Sequence, residues 1–210
     1  MSSADAGARD VRPADVEGWF VEIGLEPLER AEREGIASWD LLLDGRLRHD
    51  LRVTVILDPS LAVIVWAHYA PPIGDMFRRS YRKLLRWNDE FPFVKFSVGE
   101  DERPLLAAEL PIAIADADEL GLAIARILDV ADRLLDESKG WLWIGGLIPT
   151  EAADRAPRNP GFLARYADRL PPAPGPAVGG SPAPGGSRRS SSRSSSPSGC
   201  SRHPPRRPRP

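Results

Sequence analysis

The sequence predicts an α+β domain in which helices pack on a mostly antiparallel sheet, in the order helix, strands, helix, strands, helix. Three observations predict this class. Apolar residues recur at helical spacing in three separate segments, the segments between them alternate with a period of two, and proline or glycine marks most junctions. A sheet of this kind needs helices to bury its apolar face, which the three helical segments can supply.

The first helix is predicted over residues 13–23. Pro13 suits a first helical turn, four apolar residues follow on one face, and Gly24 should end the helix. A second, short helix is expected over residues 26–33, before Gly35 stops it.

Strands are predicted next. Residues 51–57 alternate between apolar and other side chains, and Asp58-Pro59-Ser60 is a turn signal. Residues 61–70 are apolar on both faces, so this strand should lie near the centre of an antiparallel meander. A weaker preceding strand is expected over residues 39–43.

The second helix should begin after Asp75, a good N-cap, and end before Pro92, since the residue before a proline is pushed out of the helical region. Two further strands, over residues 93–98 and 104–110, flank an acidic hairpin loop at residues 99–103.

The last helix is the clearest element. Asp116 and Glu119 have the spacing of a capping box, and the apolar residues that follow, from Leu120 to Leu135, form one continuous face. The charged residues occupy the other side of the helix; they are Asp118, Arg126, Asp129, Asp132, Arg133 and Asp136. The aromatic run at 141–146 should extend the packing, and a short helix is expected over residues 161–170.

Composition divides the chain. We expect a flexible N-terminus at residues 1–11, an α+β domain at residues 12–145, a C-terminal extension at residues 146–170 and a disordered tail at residues 171–210. The tail draws 34 of its 40 residues from Pro, Ser, Arg and Gly and cannot bury enough apolar surface to fold.

Charge divides the chain at the same place. The tail holds 7 arginines and no acidic residue, so residues 1–170 carry a net charge of −9 and the tail +7. An acidic body argues against nucleic acid as the ligand of the domain itself. The single cysteine, Cys200, excludes an intrachain disulfide, and no apolar run is long enough for a membrane span, so a cytoplasmic protein is expected.

Asn88-Asp89-Glu90 is the one segment that could carry chemistry. Familiar nucleophile, phosphate-loop and zinc motifs are absent from the sequence, and its two domain histidines lie in different elements. The simpler interpretation is that the Asn88 amide bonds the backbone of the strand beneath it, while Asp89 and Glu90 are solvated. The alternative is a metal-dependent enzyme in which Asp89 and Glu90 join Asp101 and Glu102. We expect no enzyme, no catalytic residue, no cofactor and no bound metal.

A cluster of aromatic residues indicates where a partner could bind. Most of these side chains must belong to the core, but a strand apolar on both faces needs either helices or another chain over one face. The candidate partner-binding residues are Trp66, Tyr69, Trp87, Phe91 and Phe93.

Four segments carry a resemblance to a known family. The helix ending LLRWNDEFPFVKFSV, the hairpin GEDERP, the segment LLAAELPI and the closing helix DADELGLAIARILDVADRLL resemble the YbjN-domain family of bacteria over roughly residues 12–145. The composition, rich in Ala, Arg and Pro, looks like that of an actinobacterial member.

The resemblance implies a fold similar to type III secretion chaperones, which are small α+β domains, often dimers, that bind segments of other proteins. It also implies a regulator of sensory transduction, stress or motility with no established catalytic residues. The expected partner is therefore another protein or a peptide segment, with a homodimer as the expected assembly.

The basic tail departs from the family. It is either a linker-like appendage, a reading-frame artefact of a GC-rich gene, a segment that screens the domain's own charge, or a contact for nucleic acid or an anionic membrane. In the last case the domain would serve as a dimerising platform for the tail.

Overall fold

The computed structural model describes residues 10–73, 78–142 and 156–171. The helices are α1 (Pro13–Ile23), α2 (Arg78–Glu90), α3 (Ala117–Ser138) and α4 (Phe162–Arg165), and a 3-10 turn follows at Ala167–Arg169. The strands are β1 (Glu29–Arg33), β2 (Ile36–Leu43), β3 (Leu51–Asp58), β4 (Ala62–His68), β5 (Lys95–Val98) and β6 (Pro104–Pro111).

The strands form one six-stranded sheet in the order β1-β2-β3-β4-β6-β5, with every neighbouring pair antiparallel. The order departs from chain order because α2 and β5 come between β4 and β6. The α+β class, the antiparallel sheet and the order of elements are therefore confirmed.

One face of the sheet carries the core. Trp39, Val55 and Val65 lie opposite one another across three strands and are almost fully buried. Phe20 of α1 meets Trp39 edge-on at 5.9 Å, and α3 packs against α1, β4 and β6. Each such fully buried side chain contributes about 1.5–3 kcal/mol through the apolar surface it removes from water.

The closing helix begins as its sequence indicates. The Asp116 carboxylate accepts a hydrogen bond of 2.8 Å from the backbone N–H of Glu119, which supplies one of the partners that a helix N-terminus lacks. The helix then runs for 22 residues to Ser138 with its apolar face buried.

The predicted helix over residues 26–33 is wrong. Residues Glu29–Arg33 form β1, which pairs with β2 through a tight turn at Glu34-Gly35. Both turn residues have positive φ, 55° and 81°, the conformation that two-residue hairpins favour. Glu and Arg are good helix formers, but pairing with the buried β2 overrides that local preference.

Some predictions lie outside the described residues. They are the Asp75 cap, the part of the aromatic run beyond Leu142, the N-terminus before Asp10 and the tail beyond Pro171. The short helix expected over residues 161–170 is present as α4 and the 3-10 turn.

No helix within the described ranges has the length and apolar character to cross a membrane.

Candidate functional site

The end of α2 is held against the edge strand by Asn88. Its side-chain Nδ2 donates to the backbone carbonyl of Phe96 at 3.1 Å, and the Phe96 N–H donates to its Oδ1 at 2.6 Å. Lys95 Nζ donates to the Asn88 carbonyl at 2.6 Å, where a helix end lacks partners. The expected contact between the Asn88 amide and the strand beneath it is confirmed.

The four carboxylates of the alternative enzyme site are not brought together. Asp89 and Glu90 are exposed at the end of α2, before β5, whereas Asp101 and Glu102 lie in the hairpin that follows β5. Asp101 is occupied within the hairpin, where it contacts Arg103. In the part of the chain that the structure describes, no group of three or more potential ligands could hold a metal ion.

Two of the candidate partner-binding aromatics lie inside the core. Tyr69 is fully buried, its hydroxyl is 2.9 Å from Ser138 Oγ, and its ring meets Phe96 edge-on at 5.4 Å. Trp87 is 3% exposed and packs between Phe96 and Trp141. These two side chains can support a neighbouring surface, but they are too buried to contact a partner themselves.

Trp66 lies on the other face of the sheet. It is half-buried, because β4 alternates and places Val65 and Ala67 in the core. Its neighbours across the strands are Thr54 and Ala107. Trp66 is therefore separated by the sheet from α1 and α3.

Phe91 and Phe93 line a groove of about 530 Å³. Its walls are the end of α2 with the turn after it, the middle of α3, and the segment that follows α4. The lining residues are Glu90, Phe91, Pro92, Phe93, Val94, Arg126, Asp129, Val130, Arg133, Asp168, Arg169, Leu170 and Pro171. A second cavity of about 320 Å³ adjoins it and shares Pro92, Phe93 and Arg126.

Phe93 and Arg126 stand at the junction of the two cavities. Phe93 is 62% exposed, and the Arg126 guanidinium lies over its ring at 3.9 Å from the centroid. A guanidinium on an aromatic face is attracted by the ring quadrupole. Partial burial lowers the pKa of Arg126. Arg126 forms no ion pair with any carboxylate in the described ranges, and it lines both cavities.

The third wall of the groove comes from residues 156–171, which we call the C-terminal clasp. Arg169 binds Asp118 and Glu119 near the start of α3, the latter at 2.6 Å. Arg133 binds Asp129 at 2.6 Å and also donates to the carbonyl of Pro171. These contacts hold the end of the clasp along α3.

Two further contacts anchor the clasp. Tyr166, which is 1% exposed, lies over Gly121, where any Cβ would come within 1.9 Å of its hydroxyl. Asn159 accepts from the N–H of Asp44 at 2.8 Å and donates to its carbonyl at 3.0 Å. The clasp is therefore joined both to α3 and to the loop between β2 and β3.

That loop rests on a carboxylate from the charged side of α3. Asp132 is 6% exposed and accepts backbone hydrogen bonds of 2.6, 3.0 and 2.8 Å from Arg46, Leu47 and Arg48. Asp129 is 3% exposed and lies against Arg133. Both carboxylates are buried although they lie on the charged side of α3, because the loop and the clasp cover this side of the helix. The only sequence signal for it is Asp44-Gly45, a turn-forming pair directly after a strand.

The features assembled so far define an α+β domain with a pre-formed groove on the helical side of its sheet. The chain belongs to the YbjN family: the family's sequence model, described as "Putative bacterial sensory transduction regulator", matches residues 12–139. No curated protein matches the chain. The resemblance drawn from the sequence is thereby confirmed, and the clasp lies outside the matched residues.

Proposed function

We propose that this domain is a non-enzymatic regulatory adaptor that binds a segment of another protein in the groove beside Phe93. The family supports a regulatory role. The chaperone-like part of the proposal rests on the groove and on the likeness, drawn from the sequence, to chaperones that bind protein segments.

The observation that carries the proposal is the exposure of Phe93 under Arg126 at the junction of two cavities. Clefts of about 300–1,000 Å³ are the size of typical ligand pockets. Aromatic residues and arginine are also enriched among the residues that dominate binding energy. An apolar side chain of the partner would pack on Phe93, next to the guanidinium.

The candidate aromatics then have different roles. Phe91 and Phe93 would contact the partner directly, because they line the groove. Tyr69 and Trp87 would act only by supporting β5 and α2 from the core. Trp66 would belong to a separate contact on the other face of the sheet.

The test is affinity capture from a native cell extract, followed by a titration with the partner once it is identified and purified. Phe93→Ala and Arg126→Ala should each weaken binding at least tenfold, which corresponds to about 1.4 kcal/mol. Val21→Ala is the matched control, since Val21 is an 81% exposed apolar residue on α1, away from the groove. Equal affinity for all four proteins, or no partner at all, would contradict the proposal.

A second candidate rests on the charge of the tail, which carries seven arginines and no acidic residue from 171 to 210. Such a segment could bind nucleic acid or an anionic membrane in a salt-dependent way. Deleting residues 172–210 would then abolish binding to DNA, RNA and anionic vesicles. Unchanged binding by the truncated protein would exclude this function.

A further inference from the structure

The second cavity, of about 320 Å³, lies where β5 stops short of its neighbour β6. β5 begins its pairing at Lys95, opposite Ala107, whereas β6 continues to Pro111. The chain turns at Pro92 and Phe93 before it enters β5. Within the described ranges, no strand therefore pairs with the last residues of β6 on this side. The cavity occupies this place, between the end of β6 and α3.

Glu109 presents unpaired backbone to this cavity. Asn88 bonds both backbone groups of Phe96, so these groups point away from β6, and Lys95 forms the pair that exchanges hydrogen bonds with Ala107. Every second residue of β6 points its backbone groups the same way. The N–H and C=O of Glu109 therefore point beyond the end of β5, where no backbone hydrogen bond from the described residues reaches them.

Two cations line the same cavity. Arg126 comes from α3, and Lys95 comes from β5. The Lys95 ammonium donates to the carbonyls of Asn88 and Phe91 at 2.6 and 3.4 Å, and these neutral groups do not cancel its charge. Glu109 supplies the one carboxylate of the lining, from an exposed position on β6. With two cations and one carboxylate, the lining carries a net charge of +1 in a region, residues 1–170, whose net charge is −9.

The adjoining groove has no such excess of positive charge. Arg133 is paired there with Asp129, and Arg169 is paired with Asp118 and Glu119. Two further carboxylates also line the groove. An additional negative charge is therefore favoured in the second cavity and not in the groove.

We infer that the second cavity receives the carboxylate of an aspartate or glutamate in the bound segment, while a neighbouring apolar side chain packs on Phe93. This inference rests on the proposed function, since it specifies the chemistry of the segment that the groove binds. Arg126 offers the planar set of N–H donors that matches a carboxylate, Lys95 offers a second cation, and the Glu109 N–H offers a third donor. Hydrogen bonds to a charged group are about twice as strong as those between neutral groups.

The position of Phe93 fixes how close the two side chains of the segment must be. Pro92, Phe93 and Arg126 line both cavities, so the two sites adjoin each other directly. An extended chain advances about 3.3 Å per residue. The apolar residue and the acidic residue should therefore be neighbours in the sequence of the segment, or be separated by one residue.

The experiment begins with a library of random nine-residue peptides displayed on phage, selected on the full chain and counter-selected on Phe93→Ala. Peptides that bind the wild type and not Phe93→Ala should be enriched in an aspartate or glutamate within two residues of an apolar residue. Circular dichroism checks that every variant used is folded.

Titration of one enriched synthetic peptide then assigns the carboxylate to its site. Replacing its acidic residue by the matching amide should weaken binding to the wild type at least tenfold, but binding to Arg126→Gln less than threefold, because the partner of the carboxylate is already missing. Arg126→Lys should keep part of the difference. Glu109→Gln should strengthen binding of the acidic peptide, since it removes a like charge from the cavity. Arg82→Gln removes a cation from an exposed position on α2 and should change nothing.

The outcomes separate this inference from the proposed function. Peptides that depend on Phe93 but show no acidic enrichment would overturn the inference and leave the proposed function in place, and so would an amide peptide that loses as much affinity for Arg126→Gln as for the wild type. A selection that yields no peptide dependent on Phe93 would overturn both.

Discussion

Asn88 serves Phe96 as a neighbouring strand would: its side-chain amide donates to the Phe96 carbonyl at 3.1 Å and accepts from the Phe96 N–H at 2.6 Å. A backbone N–H and C=O on the outer side of an edge strand would otherwise be left to water or to another chain. One side chain of α2 thereby fixes the helix on the sheet and closes the β5 edge.

Replacing Asn88 should therefore lower the stability of the domain markedly, although the residue is only half-buried. Asn88→Ala removes both hydrogen bonds and should lower the free energy of unfolding by about 1–3 kcal/mol. Asn88→Asp keeps the acceptor and loses the donor, so it should lie between Asn88→Ala and the wild type. Urea unfolding of both variants measures this. Asp89→Ala, at the exposed next position, should stay within about 0.5 kcal/mol; equal effects at positions 88 and 89 would show that the amide contributes nothing.

Gly121 should accept no larger residue, even though it lies within α3. A Gly→Ala change inside a helix normally stabilises by about 1 kcal/mol, and Gly18→Ala, with nothing within 4 Å of its Cβ, should show that gain. At Gly121 the Cβ would lie 1.9 Å from the Tyr166 hydroxyl. Gly121→Ala should instead release the C-terminal clasp and lower the melting temperature.

Limited proteolysis distinguishes release of the clasp from general destabilisation. In Gly121→Ala, cleavage within residues 156–171 should precede cleavage of the sheet, while Gly18→Ala should resist cleavage as the wild type does. Because the clasp forms one wall of the groove, Gly121→Ala should also weaken the binding proposed for Phe93. A stabilised Gly121→Ala protein with an intact clasp would refute this account of Tyr166.

Asp132 should stabilise the loop between β2 and β3 through the hydrogen bonds that its carboxylate accepts. Burial raises its pKa, while the backbone N–H groups of Arg48, Arg46 and Leu47 lower it. Burial also lowers the pKa of Arg48 to about 10, so that this side chain stays protonated at neutral pH close to Asp132. Asp132→Ala leaves three N–H groups and a buried cation without their carboxylate and should cost about 3–5 kcal/mol.

The matched variants for this site are Asp132→Asn and Asp168→Ala. Asp132→Asn keeps one oxygen acceptor and should cost less than Asp132→Ala. Asp168 is exposed, so Asp168→Ala should change the free energy of unfolding by no more than about 0.5 kcal/mol. Chemical unfolding at pH 7 gives all three values, and a tolerated Asp132→Ala would rule out the proposed support of the loop.

Divalent cations should leave the stability of the domain unchanged. The two acidic pairs, Asp89-Glu90 and Asp101-Glu102, flank β5 at opposite ends, and the described residues hold no cluster of metal ligands. A cation present at 100 times its dissociation constant would add about 2.7 kcal/mol. Thermal unfolding with Mg²⁺, Mn²⁺ and Ca²⁺ measures this, and a saturable rise in melting temperature that Asp89→Asn removes would revive the metal-enzyme alternative.

Helices and strands were predictable from the sequence where a periodic pattern of apolar residues coincides with cap or turn residues at the ends of the element. In α3, for example, the Asp116 cap and the apolar face both predict the same helix, and both signals come from residues close together in the chain. β1 was missed because its residues favour a helix and all of them are exposed. Only pairing with β2, which depends on the fold, makes that segment a strand.

The groove was partly predictable. The aromatics of the α2–β5 junction indicated Phe91 and Phe93, but no local pattern separates these from Tyr69 and Trp87, which are buried by contacts far apart in sequence. The third wall was missed because Asn159 and Tyr166 pair with Asp44 and Gly121 across long stretches of chain.

Tyr69 should make stability depend on pH in the alkaline range. Burial raises its pKa to about 12, although its hydrogen bond with Ser138 and the Arg48 guanidinium, 4.8 Å from the ring centroid, both lower it. An unfolded tyrosine ionises near pH 10. Between about pH 10 and 12 the folded state therefore holds a proton that the unfolded state has lost, and the free energy of unfolding falls as pH rises, at up to about 1.4 kcal/mol per pH unit from this group.

Tyr69→Phe isolates that contribution. Below pH 9 the variant should be less stable than the wild type by about 0.5–1.5 kcal/mol, since it lacks the hydrogen bond to Ser138. Above pH 10 the wild type should lose stability faster than Tyr69→Phe, so the difference should shrink and then reverse. Urea unfolding of both proteins from pH 8 to 11 follows the two curves. Curves that stay parallel over this range would mean that Tyr69 ionises alike in the folded and unfolded states, and is therefore not held neutral by the core.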